Sequence, residues 1–152
     1  MPGMTDPAIA TLGDMRPSPA GMPEASITPP VIAESGDPFA ALRIVDLVAR
    51  LPRARAVSLA AIVDRLNSTY LDWLFDARVV ADALVQLQAN WMADYRNSSG
   101  IVIDDGPDGT TLTIEDSTRV DPWIVRQAQR LAAQCTSILD DFSRRERVTG
   151  GD

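Results

Sequence analysis

Hydrophobic and polar residues alternate with helical spacing from position 37 onward, and the first such stretch opens at Asp37-Pro38. Asp accepts hydrogen bonds from the free N–H groups of a first helical turn, and Pro at the first helical position loses none. A dense apolar run follows until Pro52, which cannot continue a helix. The pattern predicts a mostly buried first helix.

A second, amphipathic helix is predicted after Ser58, a good capping residue. Its apolar stripe has spacings of three and four and stops at Asn67; the stripe consists of Leu59, Ile62, Val63 and Leu66. The segment 68–75 that follows is rich in aromatic and aliphatic side chains. We expect one or two further helical turns there.

The third helix is predicted to start after Asp76 and to run to about Arg96, where the segment 97–100 breaks it. Val80, Leu84, Leu87 and Trp91 lie on one face of this helix. Residues 101–103 and 111–114 are β-rich and flank a Gly/Pro/Asp segment at 104–110, which predicts a β-hairpin.

From Asp121-Pro122 to about Arg147 a last helix is predicted, with the most regular pattern in the chain. Its apolar residues follow heptad spacing: Ile124, Ala128, Leu131, Cys135, Ile138 and Phe142. A second set widens the stripe: Val125, Ala132 and Leu139. Two interpretations stay open, namely a homodimer through this helix, with Ile124, Leu131, Cys135, Ile138 and Phe142 at the interface, or packing against its own domain.

The sequence from Leu59 to Asn67, the run Leu84-Val85-Gln86-Leu87 and the hairpin together resemble the winged helix-turn-helix superfamily over about residues 39–116. The predicted fold class is mainly α with a small β-hairpin, a winged-helix-like domain followed by a long C-terminal helix. The resemblance implies that the third helix, from Ala77 to Gln86, would read the DNA major groove while the hairpin, or wing, touches the backbone.

The chain departs from that family at three places. The link between the second and third helices is aromatic and about nine residues long, and the third helix continues through Trp91. The wing tip, 104–109, carries three Asp and no base, which would repel phosphate.

The domain division follows from these patterns and from Pro content. Eight of the 11 Pro residues lie in the first 38 positions, so residues 1–37 are predicted to be a disordered tail. An alternative is a short docking segment at 27–32 that orders on a partner. Residues 38–120 form the winged-helix-like domain, 121–147 the dimerisation or packing helix, and 148–152 a disordered end. A chain of 152 residues with 45% apolar content can bury one core.

Net charge is −7, and only residues 117–152 are slightly basic, with six Arg against five acids. DNA affinity comes largely from cations at phosphates. The candidate DNA contacts are few: Arg53, Arg55, Arg65, Arg78 and, near bases, Gln86. The leading hypothesis is therefore a non-enzymatic, dimeric adaptor that holds another protein through its acidic helix–wing surface or through Tyr70 and Trp73. The alternative is a DNA-binding transcriptional regulator that acts as a dimer.

Catalytic chemistry finds little support in the composition. The chain has no His and no Lys, and its one Cys, Cys135, stands at an apolar helix position. We expect a buried packing residue there, the alternative being a disulfide across a parallel dimer. No enzyme activity, metal or cofactor is predicted, no membrane span is expected, and the lone Cys suggests a reducing, cytoplasmic setting.

Overall fold

Helices dominate the described part of the chain, which comprises residues 28–96 and 99–150 of this computed structural model, without the side chains of 147–150. The helices are α1 (Pro38–Val48), α2 (Leu59–Thr69), α3 (Ala77–Tyr95) and α4 (Val120–Gly150). The strands are β1 (Val31–Ile32), β2 (Ala56–Ser58), β3 (Trp73–Leu74), β4 (Ile101–Gly106) and β5 (Gly109–Ile114). The expectation of a mainly α protein with a small β component is confirmed.

The predicted helix starts are confirmed by their caps. The carboxylate of Asp37 accepts a hydrogen bond from the N–H of Phe39, and Pro38 opens α1. Ser58 Oγ accepts from the N–H of Ala61 at the start of α2. In the same way, the carboxylate of Asp76 accepts a hydrogen bond from the N–H of Val79 at 2.9 Å at the start of α3. Each side chain satisfies an N–H group that has no partner within its own helix.

The segment between α2 and α3 corrects the prediction of further helical turns. The helix α2 ends at Thr69, and Trp73–Leu74 form a strand that pairs in parallel with Val31–Ile32. Asn67 fixes the end of this segment, because its carboxamide accepts from the N–H of Phe75 at 2.8 Å and donates to the C=O of Phe75 at 3.0 Å. An extended linker results from partners that are distant in sequence and therefore invisible to a local pattern.

The N-terminal boundary is also corrected. Order begins before Pro38, since Val31 donates its N–H to Asp72 O at 2.8 Å and Ala33 is buried. The predicted disordered tail therefore does not extend to residue 37. The part of the chain from Val31 forms its own compact unit, and residues 28–30 before it are exposed. Residues 1–27, with most of the predicted tail and the first residue of the proposed docking segment, lie outside the described residues.

The hairpin is longer and its sheet larger than the sequence indicates. The strands run to Gly106 and from Gly109, so the expected loop at 104–110 contracts to a tight turn, with Gly109 at φ 114°. Such a φ favours glycine. The short strand β2, which the sequence did not predict, pairs with β5, giving the antiparallel order β2-β5-β4.

The helix α4 begins one residue before the predicted start and continues past residue 147 to Gly150, where a disordered end was expected. Its first half packs mainly against α1. Trp123 lies 1% exposed, with its indole edge-on to Trp91 at 5.2 Å between ring centroids. The Trp123 N–H donates to Asp94 at 2.7 Å. The described core thus joins α4 to α1 and α3, while residues 136–146 are exposed.

Candidate functional site

The groove between α3 and the hairpin is the first candidate site. It has a volume of about 170 Å³, and its lining is mainly apolar. We call it the helix–wing groove and define it by Leu59, Ala81, Leu84, Val85, Ile103 and Asp105. Val85 is 55% exposed, although it stands on a helix whose other aliphatic residues at 79, 80, 84 and 87 are buried. The groove therefore leaves an aliphatic side chain, Val85, largely exposed to solvent.

One acidic residue, Asp105, lines this groove, and the hairpin that carries it is acidic. Asp104, Asp105 and Asp108 are exposed on the hairpin. Asp105 is held by Thr110, its cross-strand neighbour, whose hydroxyl donates to the carboxylate at 2.6 Å. The hairpin from 101 to 116 contains no Arg. Its field is therefore negative, which attracts cations and repels phosphate.

Arg53 has a structural role in its own chain. Its guanidinium donates to the carbonyls of Leu51 at 2.6 Å and Ala49 at 3.0 Å, near the C-terminus of α1. Its Nε donates to Asp121 at 2.7 Å. These bonds satisfy carbonyls that α1 leaves open and attach the first turn of α4. This Arg is therefore not among the exposed cations.

Arg55 and Arg65 lie near each other. They line a groove of about 440 Å³ between the end of α1 and the start of α2, together with Arg50. Arg50 pairs with Asp46, whereas the side chains of Arg55 and Arg65 have no hydrogen bond or ion pair within residues 28–96 and 99–150. Arg78 is exposed at the start of α3 and does not line this groove.

Gln86 faces a different part of the molecule. Its amide donates to Asn90 Oδ1 at 2.9 Å, and both residues line a cleft between α3, α1 and α4. The lining of the helix–wing groove includes Val85 but not Gln86. The structure thus does not bring the predicted base reader together with Arg55 and Arg65.

The aromatic linker is only partly exposed. Tyr70 and Trp73 are half-buried, and the Arg43 guanidinium lies 4.3 Å from the Trp73 ring centroid. The Tyr70 hydroxyl donates to Asp46 at 3.1 Å. Burial and the neighbouring Asp46 carboxylate both raise the pKa of Tyr70. Because intramolecular partners occupy both rings, the exposed apolar residues of this region are others, namely Val31, Ile32, Leu71 and Leu74.

The predicted interface residues of α4 fall into two groups. Ile124 and Cys135 are buried and Leu131 is half-buried within the same chain. Ile138 and Phe142 are exposed, Phe142 by 60%. Only the second group is accessible to another molecule without displacing α4.

Cys135 is buried and free, as the sequence indicates. Burial raises the pKa of its thiol, and the charge of Asp37 adds to this shift. A protonated, enclosed thiol is a poor nucleophile. Within the described part of the chain, no group of three or more Cys, Asp or Glu residues is arranged to hold a metal ion.

Gln127 was missed by the sequence analysis. It is the one buried polar side chain among the described residues, with 5% of its surface exposed, and it lines the cleft that contains Gln86. A signal was present: Gln127 stands three residues after Ile124 and four before Leu131, on the buried face of the helix.

Comparisons with known proteins give no similarity on which to build: no family model, curated protein or solved structure matches this chain. None of the helices described here has the length and apolar character needed to cross a membrane.

Proposed function

We propose that this protein is a non-enzymatic, winged-helix-like adaptor that binds a basic and apolar segment of another protein in its helix–wing groove. One observation carries the proposal: exposed Val85 stands in an apolar groove beside the acidic hairpin. An aliphatic side chain of the partner would cover Val85, and its Lys or Arg would meet Asp105 and its neighbours.

Charge complementarity supports a cationic protein over a nucleic acid at this face. The wing carries Asp104, Asp105 and Asp108 and lacks any Arg, so a phosphate backbone would gain no contact there. Opposite charges around an apolar centre set the orientation and rate of protein association, while the apolar contact supplies much of the affinity. The groove combines both features.

The winged-helix part of the proposal rests on the order of elements. Helices α1, α2 and α3 are followed by the β4–β5 hairpin, and β2 joins that hairpin in one sheet. The same order of elements is also compatible with the alternative, a DNA-binding regulator. The specific observation that favours the alternative is the pair of exposed cations Arg55 and Arg65 beside the start of α2.

A homodimer through α4 is the second part of the proposal. Exposed apolar residues lie along α4 in two neighbouring rows, which together we call the outer seam. Val125, Ala132 and Leu139 form one row at heptad spacing, and Ile138 and Phe142 continue beyond Cys135 the row that is buried earlier in the helix. From first to last it spans about 26 Å of helix. A second copy of the helix would cover it, above all from residue 136 to 146, where the described part of the chain leaves every side chain exposed.

The adaptor proposal is tested by selecting peptides from a random display library on the purified protein. Enriched peptides are expected to combine Lys or Arg with Leu, Ile or Val, and added salt should weaken their binding. Val85→Asp should weaken binding at least about tenfold, since it places a charge in the apolar contact. Asp105→Asn should weaken it less, and Asp140→Asn, the same charge change on α4, should have no effect. Acidic or uncharged selected peptides, or binding indifferent to Val85→Asp, would contradict the proposal.

Sedimentation with and without mixed-sequence duplex DNA separates the two functions and reports the oligomeric state. The adaptor should form a dimer and remain indifferent to DNA even at low salt. Phe142→Asp should convert it to monomer, and Ser137→Asp, on another face of α4, should not. Binding to DNA with a steep salt dependence that Arg55→Ala and Arg65→Ala reduce would instead establish the regulator.

A further inference from the structure

The side chain of Gln127 presents a polar group that the fold leaves without a protein partner. The residue is only 5% exposed, and its side chain makes no hydrogen bond or ion pair with the described residues. A buried amide without partners costs free energy, which an apolar side chain of the same length would avoid. The residue is therefore poorly suited to a purely structural role.

The cleft beside Gln127 has the size and lining of a small-molecule site. It encloses about 410 Å³ between α1, α3 and α4, within the range of ligand pockets. Val45, Leu87 and Leu131 contribute an apolar floor. The charged groups at its lining are one of each sign, Asp82 and Arg130, so the cleft has no net charge that would select an ion.

Asn67 shows within the same chain what a carboxamide binds. Its oxygen accepts from the N–H of Phe75, and its nitrogen donates to the C=O of Phe75, so both halves of the amide are satisfied by one residue's donor and acceptor. A ligand that pairs with Gln127 must offer the same two functions side by side. An anion would satisfy only the NH₂ group and a cation only the oxygen.

We propose that this cleft binds a small, uncharged molecule that presents an amide or lactam edge to Gln127 and an apolar ring to Val45, Leu87 and Leu131. The ring would replace water on the apolar floor, and the paired hydrogen bonds would satisfy the buried carboxamide. This inference does not depend on what the helix–wing groove binds.

Gln127 also borders a shallower depression, which shares Gln127 and Arg130 with the cleft. That depression is lined by charged and aromatic residues, among them Asp94, Tyr95 and Arg126. It lacks the aliphatic floor on which a ring could pack, so the cleft is the better site. Arg126 lines this depression but not the cleft, and it serves as a control position.

Four matched probes test the proposal on the full chain: benzamide, benzoate, benzamidine and toluene. They share one ring and differ in whether they offer a donor and an acceptor, acceptors only, donors only or neither. Binding is followed by the shifts of assigned backbone and Gln side-chain NMR signals. Benzamide should bind saturably with a dissociation constant of about 1–10 mM, as expected for so few atoms. The other three should bind at least about tenfold more weakly, because each leaves part of the Gln127 amide unpaired.

Three variants distinguish a loss of benzamide binding at the cleft from a loss of folding. Gln127→Met should abolish benzamide binding while raising the melting temperature, since it removes the unpaired amide from the interior. Ala83→Leu, which fills the cleft from α3, should also block binding, and Arg126→Ala should leave it unchanged. Failure of benzamide to shift the cleft residues at about 10 mM would overturn the proposal. Equal binding of toluene, or benzamide binding that survives Gln127→Met, would overturn it as well.

Discussion

The two halves of α4 share one pattern of apolar spacing but differ in burial. From Val120 to Cys135 the helix buries one apolar face, including Val120, Trp123, Ile124 and Cys135, and packs mainly against α1. From residue 136 to 146 every side chain is exposed, although Ile138, Leu139 and Phe142 continue the apolar pattern. A heptad repeat thus predicts which apolar residues lie on one helix face. Whether the same chain buries that face depends on the rest of the fold.

The first half owes its burial to aromatic partners on α3. Trp123 meets Trp91 edge-on, and its indole N–H is satisfied by Asp94. The second half extends beyond these partners. Apolar side chains that continue past the end of their own domain are available to a second molecule, which is the physical reason for proposing the outer seam as a dimer contact.

The largest expected effect comes from breaking the anchored half. Trp123→Ala should lower the free energy of unfolding by about 3–5 kcal/mol, because it leaves a large cavity beside Trp91 and removes the donor to Asp94. Chemical denaturation of dilute protein, where it is monomeric, would measure the loss.

The matched change in the exposed half is Phe142→Ala. Under the same dilute conditions it should alter the free energy of unfolding by less than about 0.5 kcal/mol, since Phe142 is 60% exposed. Comparable losses for the two variants would mean that the distal half of α4 folds against its own domain, and the comparison of the two halves would no longer hold.

A smaller effect is expected where α4 begins. Arg53→Ala should reduce the free energy of unfolding by about 1–2 kcal/mol, because the carbonyls at the end of α1 and the carboxylate of Asp121 lose one shared donor. The ion pair contributes little of this, as Asp121 is about half-exposed. Arg55→Ala is the control: its side chain is exposed, and denaturation should detect no change above about 0.5 kcal/mol. The opposite ranking of the two variants would contradict this role for Arg53.

Local signals predicted the helices well, because caps and apolar stripes depend on residues close in sequence. Asp37, Ser58 and Asp76 each cap the helix that follows them. The linker before α3 was mispredicted for the complementary reason. Its strand pairs with residues about 40 positions earlier, and its end is fixed by Asn67. Neither interaction leaves a periodic trace in the sequence.

The candidate sites were harder to predict than the fold. The sequence correctly placed three exposed Asp on the hairpin, yet it counted Arg53 among the free cations, because only the folded chain shows the α1 carbonyls and Asp121 around it. It also overlooked Gln127, which looks like an ordinary polar residue until the packing of α4 against α1 and α3 encloses it. Site residues depend on which faces meet, and that is a tertiary property.

The smallest change to the protein tests the two halves of α4 by comparing the alkylation rate of one thiol in each half. Burial raises the pKa of Cys135, so at neutral pH its thiol is protonated and enclosed, and alkylation should need local opening of α4. A thiol introduced by Leu139→Cys, in a Cys135→Ala background, should react at least about a hundredfold faster in dilute protein. Raising the protein concentration should slow only the thiol at 139, because a second copy would cover the outer seam without changing the packing of Cys135. If concentration slowed neither thiol, the homodimer would have to form elsewhere or not at all. If Cys135 reacted as fast as the introduced thiol, α4 would be undocked along its whole length, and the boundary near residue 135 would vanish.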